Sequence, residues 1–397
     1  MRGGLTIGHY DDGNVDFRAQ TNLDKIAAKK RLKKISSSQK IFTTSHNMSA
    51  PSEPIEIAKV VDLDYNDLVN DVDLTDKIAE AYGPEGLGLL TVSNVPNVME
   101  YRQAILPLAY KFANLPDEIK NKYVHEKSNF SFGWSHGKEK FNGKTDVFKG
   151  SYYANPEVDV PVEDKETQEQ YPFYCTPNIW PKEDLPEMEN AFKNMGQLVV
   201  SVGLLVAKQC DRYVQKNCPT CAPNMLYKTI SESKNTKSRL LYYYPRSDED
   251  AKENDVESDD GWCGLHLDHG SLTGLTAAMY FRDGKVVEND DPKAGLYIKG
   301  RKGNYIKAGY RPDQLAYQIG ESAQVQSGGL LQATPHLVRG PRTPGIGRAT
   351  LANFMQPKHS DKMDIPPGKT AEDCNVKHFE EGMTFHEFSE KKFSEYY

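Results

Sequence analysis

Apolar residues recur at helical spacing in three stretches of the N-terminal half, residues 74–82 (LTDKIAEAY), 98–114 (VMEYRQAILPLAYKFAN) and 187–214 (EMENAFKNMGQLVVSVGLLVAKQCDRYV). Positions i, i+3 and i+4 share one face of a 3.6-residue helix, so each stretch predicts an amphipathic helix with its apolar stripe turned to a core. The last is the longest, and its Leu, Val and Met stripe reads as packing surface: it predicts a helix bracing the outside of the fold. Pro116 followed by Asp117 and Glu118 reads as a further helix start. An opening strand (KVVDLDY, residues 59–65) precedes them.

Between residues 239 and 356 the period shortens. RLLYYYP, LTGLTAAMYF, GLYIKG, YIKAG, LAYQIG, LLQATPHLVRG and RATLANFMQ are short β-type runs divided by glycine, proline and charged turns, which predicts an antiparallel sandwich or jelly roll. The expected class is therefore α+β with a mainly β core, a double-stranded β-helix flanked by N-terminal helices and the long bracing helix. Near the C-terminus, Thr384 and Glu387 stand at capping-box spacing with Phe385, Phe388 and Phe393 behind them, predicting a final helix packed over the core.

Residues 1–52 differ from the rest. The segment 25–40 (KIAAKKRLKKISSSQK) is basic and serine-rich with too few apolar residues to pack, so a disordered basic tail is expected. An organelle presequence is the alternative, although Asp11, Asp12, Asp16 and Asp24 depart from the acid-poor signature of such segments. Residues 53–397 read as a single domain: a mixed helical part (53–235), the jelly-roll core (236–360) and a C-terminal helical segment (361–397).

Composition narrows the function classes. The chain has 397 residues, a formal net charge of −7 and 38% hydrophobic residues. The negative balance, without a stripe of Lys and Arg interleaved with aromatics, argues against nucleic-acid binding. No apolar run approaches a membrane span. Six scattered cysteines with no secretory signal fit a reducing compartment, so a cytoplasmic, monomeric protein acting on a small molecule is expected. Cys218-Pro219-Thr220-Cys221 is a weak zinc signal without a second pair, and reads as a turn after a helix. Residues 247–260 hold eight acidic residues and one lysine but lack the EF-hand ligand spacing; a solvated loop at the rim of a site is expected.

The chemistry concentrates late in the chain. His266 and Asp268 are separated by one residue, so on a strand both side chains leave the same face and can converge on one ion. His269 falls on the opposite face from Asp268. His336, 70 residues after His266, supplies a third ligand if its strand lies alongside. Two histidines and one carboxylate form the open facial triad of non-haem Fe(II) oxygenases. Arg348 presents a planar fork suited to a carboxylate, and Thr350, two residues on, adds a hydroxyl on the same face.

These motifs, HLDHGSLTGL (266–275), ATPHLVRG (333–340) and RATLANF (348–354), resemble the HxD, distant His and RxS/T pattern of the 2-oxoglutarate- and Fe(II)-dependent dioxygenases. The resemblance is to the isopenicillin N synthase-like branch. KVVDLDY, GLGLLTVSNV (86–95), FANLPDEIKNKY (112–123) and LLYYYP (240–245) extend it from about residue 53 to about residue 360. It implies Fe(II) at His266, Asp268 and His336, with 2-oxoglutarate and O2 as co-substrates and ascorbate as a stimulant. Arg348, Thr350 and Tyr244 would hold the keto acid; Tyr244 is chosen because Tyr242 stands where relatives often carry asparagine. The implied reaction oxidises a C–H bond by hydroxylation, desaturation or ring closure, with release of succinate and CO2.

Phe148, Lys149, Tyr152 and Arg339 are the candidate substrate residues, their basic groups favouring a carboxylated small molecule. Two alternatives share the motifs. One is an isopenicillin N synthase-like oxidase using no 2-oxoglutarate; the other is a non-catalytic small-molecule-binding relative.

Overall fold

The computed structural model describes residues 57–138, 140–141, 144–247 and 262–393. The expected N-terminal tail and nearly all of the acidic run at 247–260 lie outside the described residues.

Along the chain, β1 (Val61–Asp64) pairs in parallel with β2 (Leu89–Ser93), and β3 (Gly133–His136) precedes a small hairpin, β4 (Lys140–Phe141) and β5 (Lys144–Thr145). β6 (Lys149–Ala154) and β7 (Lys237–Tyr243) flank the long helical region. Then follow β8 (Cys263–His266), β9 (Leu272–Thr276), β10 (Met279–Arg282) and β11 (Lys285–Val287). The last are β12 (Gly295–Lys299), β13 (Tyr305–Ala308), β14 (Leu315–Ile319), β15 (His336–Arg339) and β16 (Gly347–Met355). Among the described residues these make a ten-stranded sheet in the order β1-β2-β14-β9-β16-β7-β6-β3, with β10 joining β16 and β11 joining β10, and a four-stranded sheet, β13-β12-β15-β8. Apart from the β1–β2 pair, the pairings within both sheets are antiparallel.

Strand alternation splits the large sheet into two chemically distinct faces. Leu240, Tyr242, Leu272, Leu315, Tyr317, Leu351 and Met355 turn outward and pack under two helices, Val98–Ala113 and Glu187–Asn217. The second is the bracing helix. Its buried Met188, Phe192, Met195, Val199, Val202, Val206, Cys210 and Val214 recur every three or four residues. The contact is close: a Cβ on Gly274 would stand 2.2 Å from Val199 Cγ1. Polar side chains of the outer face bond to helix backbone, Tyr317 Oη donating to Val199 O (2.8 Å) and Asn353 Nδ2 to Gly196 O (2.9 Å). The other face is turned to the small sheet. Leu241, Tyr243, Ala316 and Ala352 form one buried cluster with Leu296, Ile298 and Val338.

The helices fall where periodicity places them, at Thr75–Tyr82, Val98–Ala113 and Glu187–Asn217. Two strand runs are shorter than the pattern predicts. LTGLTAAMYF divides into β9 and β10 because the Ala277 and Ala278 carbonyls are taken by Arg102, at 2.8 and 2.5 Å, instead of by a neighbouring strand. LLQATPHLVRG becomes a strand only at His336: Gly328 and Gly329 are left-handed (φ 62° and 82°), and Gln324 Oε1 accepts from Ala333 N (2.8 Å). β3 and β6, inside the expected helical part, extend the large sheet. Cys218 caps the bracing helix and Cys221 N donates to its carbonyl (3.0 Å), so the CxxC is the expected turn. The capping box forms, with Thr384 N donating to Glu387 Oε2 (2.7 Å) and Glu387 N to Thr384 Oγ1 (3.2 Å). No described helix is long and apolar enough to cross a membrane.

Candidate active site

The hydrogen-bond register of the small sheet brings the two histidines together. His266 closes β8 and His336 opens β15, and the two are direct cross-strand partners. Their ring centroids are 4.3 Å apart. Between this pair and Cys263↔Val338, β8 has one residue more than β15, a bulge. Cys263 and His266, three positions apart, therefore turn to the same side, and Cys263 Sγ lies 3.8 Å from His266 Nδ1.

Asp268 follows the strand end. Its Oδ1 is 3.9 Å from Nε2 of both His266 and His336, and one ligand atom from each of the three residues lies within 4.8 Å of the others. Nδ1 of His266 meets Gly264 O at 2.8 Å and Nδ1 of His336 meets Thr334 O at 3.2 Å. A ring nitrogen facing a carbonyl carries a proton, so Nε2 is the atom that each imidazole, in its neutral form, offers to the common point. Asp268 Oδ2 is buried without a hydrogen-bond partner. An orphaned carboxylate oxygen costs stability unless something positive meets it, and an ion between the three residues would supply that. The donor set fits Fe(II).

Electrostatics within the cluster are uneven. Burial opposes charge on His266, but the neighbouring Cys263 sulfur, then Asp268 and the Gly264 carbonyl, outweigh it and bring the imidazole up to about 9. Burial, then the charge of His266, pushes His336 down to about 4. Burial would raise the Cys263 thiol, yet His266, Lys149 and Arg239 bring it to about 7.

Arg348 lies on the inner face of β16, 5% exposed, opposite Tyr243 on β7 and Tyr280 on β10. Its guanidinium carbon is 5.1 Å from the Tyr243 ring centroid. Nε and Nη1 are both buried without a partner. Two unmet donors of a fixed cation in one place are the complement of a carboxylate. Thr350 shares this face, and its hydroxyl donates to Thr276 O at 3.0 Å.

The aromatic partner differs from expectation. Tyr244 falls on the other side of the chain from Arg348: its hydroxyl donates to Ala113 O (2.9 Å) and its ring packs on His136 and Tyr242. Tyr243 takes the inward position, because it is the residue registered against Arg348. The signal was in the sequence, since Arg239, Leu241 and Tyr243 alternate along one strand.

The four substrate candidates separate in the same way. Lys149 faces inward beside Tyr243, its Nζ 3.0 Å from Asp146. Phe148 lies beneath Arg246, whose guanidinium is 4.9 Å from the ring. Tyr152 is turned away, a buried core residue of the helix-covered face against Phe112, with its hydroxyl on the Ile179 carbonyl. Arg339 is also turned away: on β15 it alternates with His336 and Val338 and stacks 4.9 Å from the Tyr297 ring on the outer side of the small sheet. Neither lines the site. Arg239, which the motif reading passed over, is on the inner face. His269 stands apart from the ion site, stacked on Phe385 and edge-on to Phe393.

Residues 59–183 match the family model described as the non-haem dioxygenase in morphine synthesis N-terminal region. A full-length protein of Neurospora crassa, solved in complex with alpha-KG, superposes with a TM-score of 0.62 at 18% identity, covering 84% of this chain and 96% of that one. Over residues 59–183 the chain resembles that N-terminal region, and its fold is similar to that of this solved protein. A putative 2OG-Fe(II) oxygenase family protein of Caulobacter crescentus gives a TM-score of 0.61 at 18% identity, over 85% of this chain and 99% of that one. JOX2 in complex with 2OG, Fe and JA gives 0.56 at 17% identity, over 90% and 94%. No curated protein matches the chain by sequence.

Proposed function

We propose that this chain is a 2-oxoglutarate-dependent Fe(II) oxygenase that oxidises a C–H bond of a small molecule, with succinate and CO2 as co-products. The β core would then be a double-stranded β-helix whose mouth holds the reaction. His266, Asp268 and His336 would hold the ion, whose chemistry when bound is the activation of dioxygen with the keto acid as reductant.

The residues of this chain do the rest. Gly264 and Thr334 carbonyls fix the tautomers and ring planes of the two histidines. Arg348 holds the far carboxylate of the keto acid, its guanidinium placed over the Tyr243 ring. Leu241, Trp262, Leu296 and Val338 keep water from the inner space. The observation that carries the reading is Arg348, a buried guanidinium with two unmet nitrogens on the face turned to the triad. A binding protein that had lost its chemistry would have no need of a His, Asp and His set with one ligand atom of each turned to a common point.

Anaerobic equilibrium binding of 2-oxoglutarate to the Fe(II)-loaded protein tests this. Wild type binds and Arg348→Met weakens binding by roughly 10- to 100-fold, as expected for loss of charge-assisted hydrogen bonds. Equal affinity in the two proteins would remove Arg348 from the site and favour the oxidase that needs no keto acid.

A further inference from the structure

We propose that Tyr310 sets the length of the keto acid: it closes the Arg348 end of the pocket, so that a five-carbon 2-oxo diacid fits and a six-carbon one does not. The inference rests on the keto-acid reading above and deepens it.

Tyr310 stands on the segment that leaves β13, the edge of the small sheet, and crosses to β14 in the large one. It is half-buried and packs against the cluster between the two sheets. Its hydroxyl donates to Thr276 O at 3.2 Å, the same carbonyl that takes the Thr350 hydroxyl at 3.0 Å. Thr350 shares its face of β16 with Arg348, so this shared carbonyl places Tyr310 at the arginine end of the pocket. Burial pushes the Tyr310 phenol up to about 12, and the guanidinium of Arg348 is the foremost group opposing that rise.

The chain beside the ring is pinned as well. Arg311 N donates to Gln314 Oε1 at 2.8 Å, and Gln314 Nε2 donates to Asp62 Oδ1 on β1 at 2.9 Å. A ring tied through its hydroxyl at one end and through its backbone at the other acts as a fixed stop.

On its other side there is room. A cavity of about 430 Å³ has Val60, Asp62, Thr91 and Tyr310 among its walls, but neither Thr350 nor Arg348. Tyr310 thus reaches both spaces, the cavity and the carbonyl that Thr350 bonds. An acid longer by one methylene, chelated at the same point, would carry its far carboxylate past Arg348 toward the tyrosine. A single misfitting methylene in a closed pocket changes affinity by about 10- to 200-fold. With the ring cut away, the longer acid gains the space behind it.

The test reads equilibrium binding by calorimetry to the full chain loaded with Fe(II) under anaerobic conditions. 2-Oxoglutarate and 2-oxoadipate are compared in wild type, Tyr310→Phe and Tyr310→Ala, with urea unfolding of each protein in parallel. Wild type is expected to bind 2-oxoglutarate at least about tenfold more tightly than 2-oxoadipate. Tyr310→Ala should bring the two within about threefold by tightening 2-oxoadipate, whereas Tyr310→Phe, which keeps the ring, should hold the wild-type ratio. A merely structural role would weaken both acids together and leave their ratio unchanged. Should Tyr310→Ala fail to fold, Tyr310→Leu takes its place, with a ratio between those of wild type and about threefold. The proposal is overturned if wild type does not discriminate between the acids, if the shortened side chain keeps the wild-type ratio, or if the ratio narrows only through loss of 2-oxoglutarate affinity. Failure of the keto-acid reading shows separately, as absence of 2-oxoglutarate binding in wild type, and the proposal then falls with it.

Discussion

Arg348 on β16 and Tyr243 on β7 are cross-strand partners, and the guanidinium carbon stands 5.1 Å from the centroid of the phenol ring. Tyr244, one residue on, hydrogen-bonds to the Ala113 carbonyl on the opposite side. Two adjacent tyrosines thus have separable tasks. Tyr243→Ala should raise the KM for 2-oxoglutarate several-fold and, because the ring is buried against Trp262, also lower stability by about 3–5 kcal/mol. Tyr244→Ala should lower thermal stability by about 2–4 kcal/mol and leave that KM unchanged. Steady-state kinetics in parallel with urea unfolding distinguishes them; the reverse pattern would restore Tyr244 to the site.

The backbone that carries Asp268 is tied to a buried ion pair some distance from the candidate ion site. Lys392 of the C-terminal helix (Phe385–Phe393) meets Glu321 at 2.9 Å, both nearly inaccessible, and Glu321 N donates to the Asp268 carbonyl at 2.8 Å. Removing the lysine leaves a buried carboxylate without its cation, which costs about 3–5 kcal/mol. Lys392→Met is expected to lower the unfolding midpoint and to weaken Fe(II) binding, because the backbone that carries Asp268 loses its anchor. Lys392→Met/Glu321→Gln should recover most of the stability. An unchanged midpoint in the single variant would contradict this.

Lys237 gives a stability change whose sign depends on pH. It is fully enclosed by Phe132, Phe173 and Tyr174, with its amine on the Phe173 carbonyl, and burial holds it well below the ordinary lysine value of 10.5. The folded state therefore binds fewer protons than the unfolded chain between those two values. Stability should rise with pH across that window, up to about 10.5, and be lower on the acid side, where the ammonium must be buried charged or shed its proton. Lys237→Met should be closest to wild type near pH 10 and more stable than wild type near pH 7, as read from urea midpoints at several pH values. A constant difference between the two proteins would mean that the amine does not titrate on unfolding.

The bracing helix sets a packing limit at Gly274. A methyl there would meet Val199 Cγ1 at 2.2 Å, within the outer-face core. Gly274→Ala should destabilise by about 1–3 kcal/mol, and Gly274→Ala/Val199→Ala should be closer to wild type than either change would suggest alone. Additive losses would show that the helix shifts freely.

Much of this was legible in the chain because it depends on period and spacing alone. The three helices follow from apolar repeats, and the two-residue step from His266 to Asp268 is a property of any extended strand. The meeting of His266 with His336 was expected from the family pattern, and the β8–β15 register shows how it is achieved. What escaped the sequence depends on which face of a strand a residue takes. Tyr152 and Arg339 are one position out of phase with the pocket, and Tyr244 one position beyond it, because phase is fixed by pairing with strands far away in the chain. Arg239 was missed for the same reason: without the register against Ala352 and Tyr153 nothing distinguishes an inward from an outward arginine. The bulge that turns Cys263 inward is a single inserted residue that no composition or periodicity marks.

The most direct test of the account is conversion of 2-oxoglutarate to succinate by the purified full chain with Fe(II), O2 and ascorbate, measured for wild type, His266→Ala, Asp268→Ala and Arg348→Met. Wild type should release succinate, the two ligand variants should fall to the background of free iron, and Arg348→Met should require roughly 10- to 100-fold more 2-oxoglutarate to reach half its maximal rate. Succinate release by His266→Ala or Asp268→Ala at the wild-type rate would contradict the account.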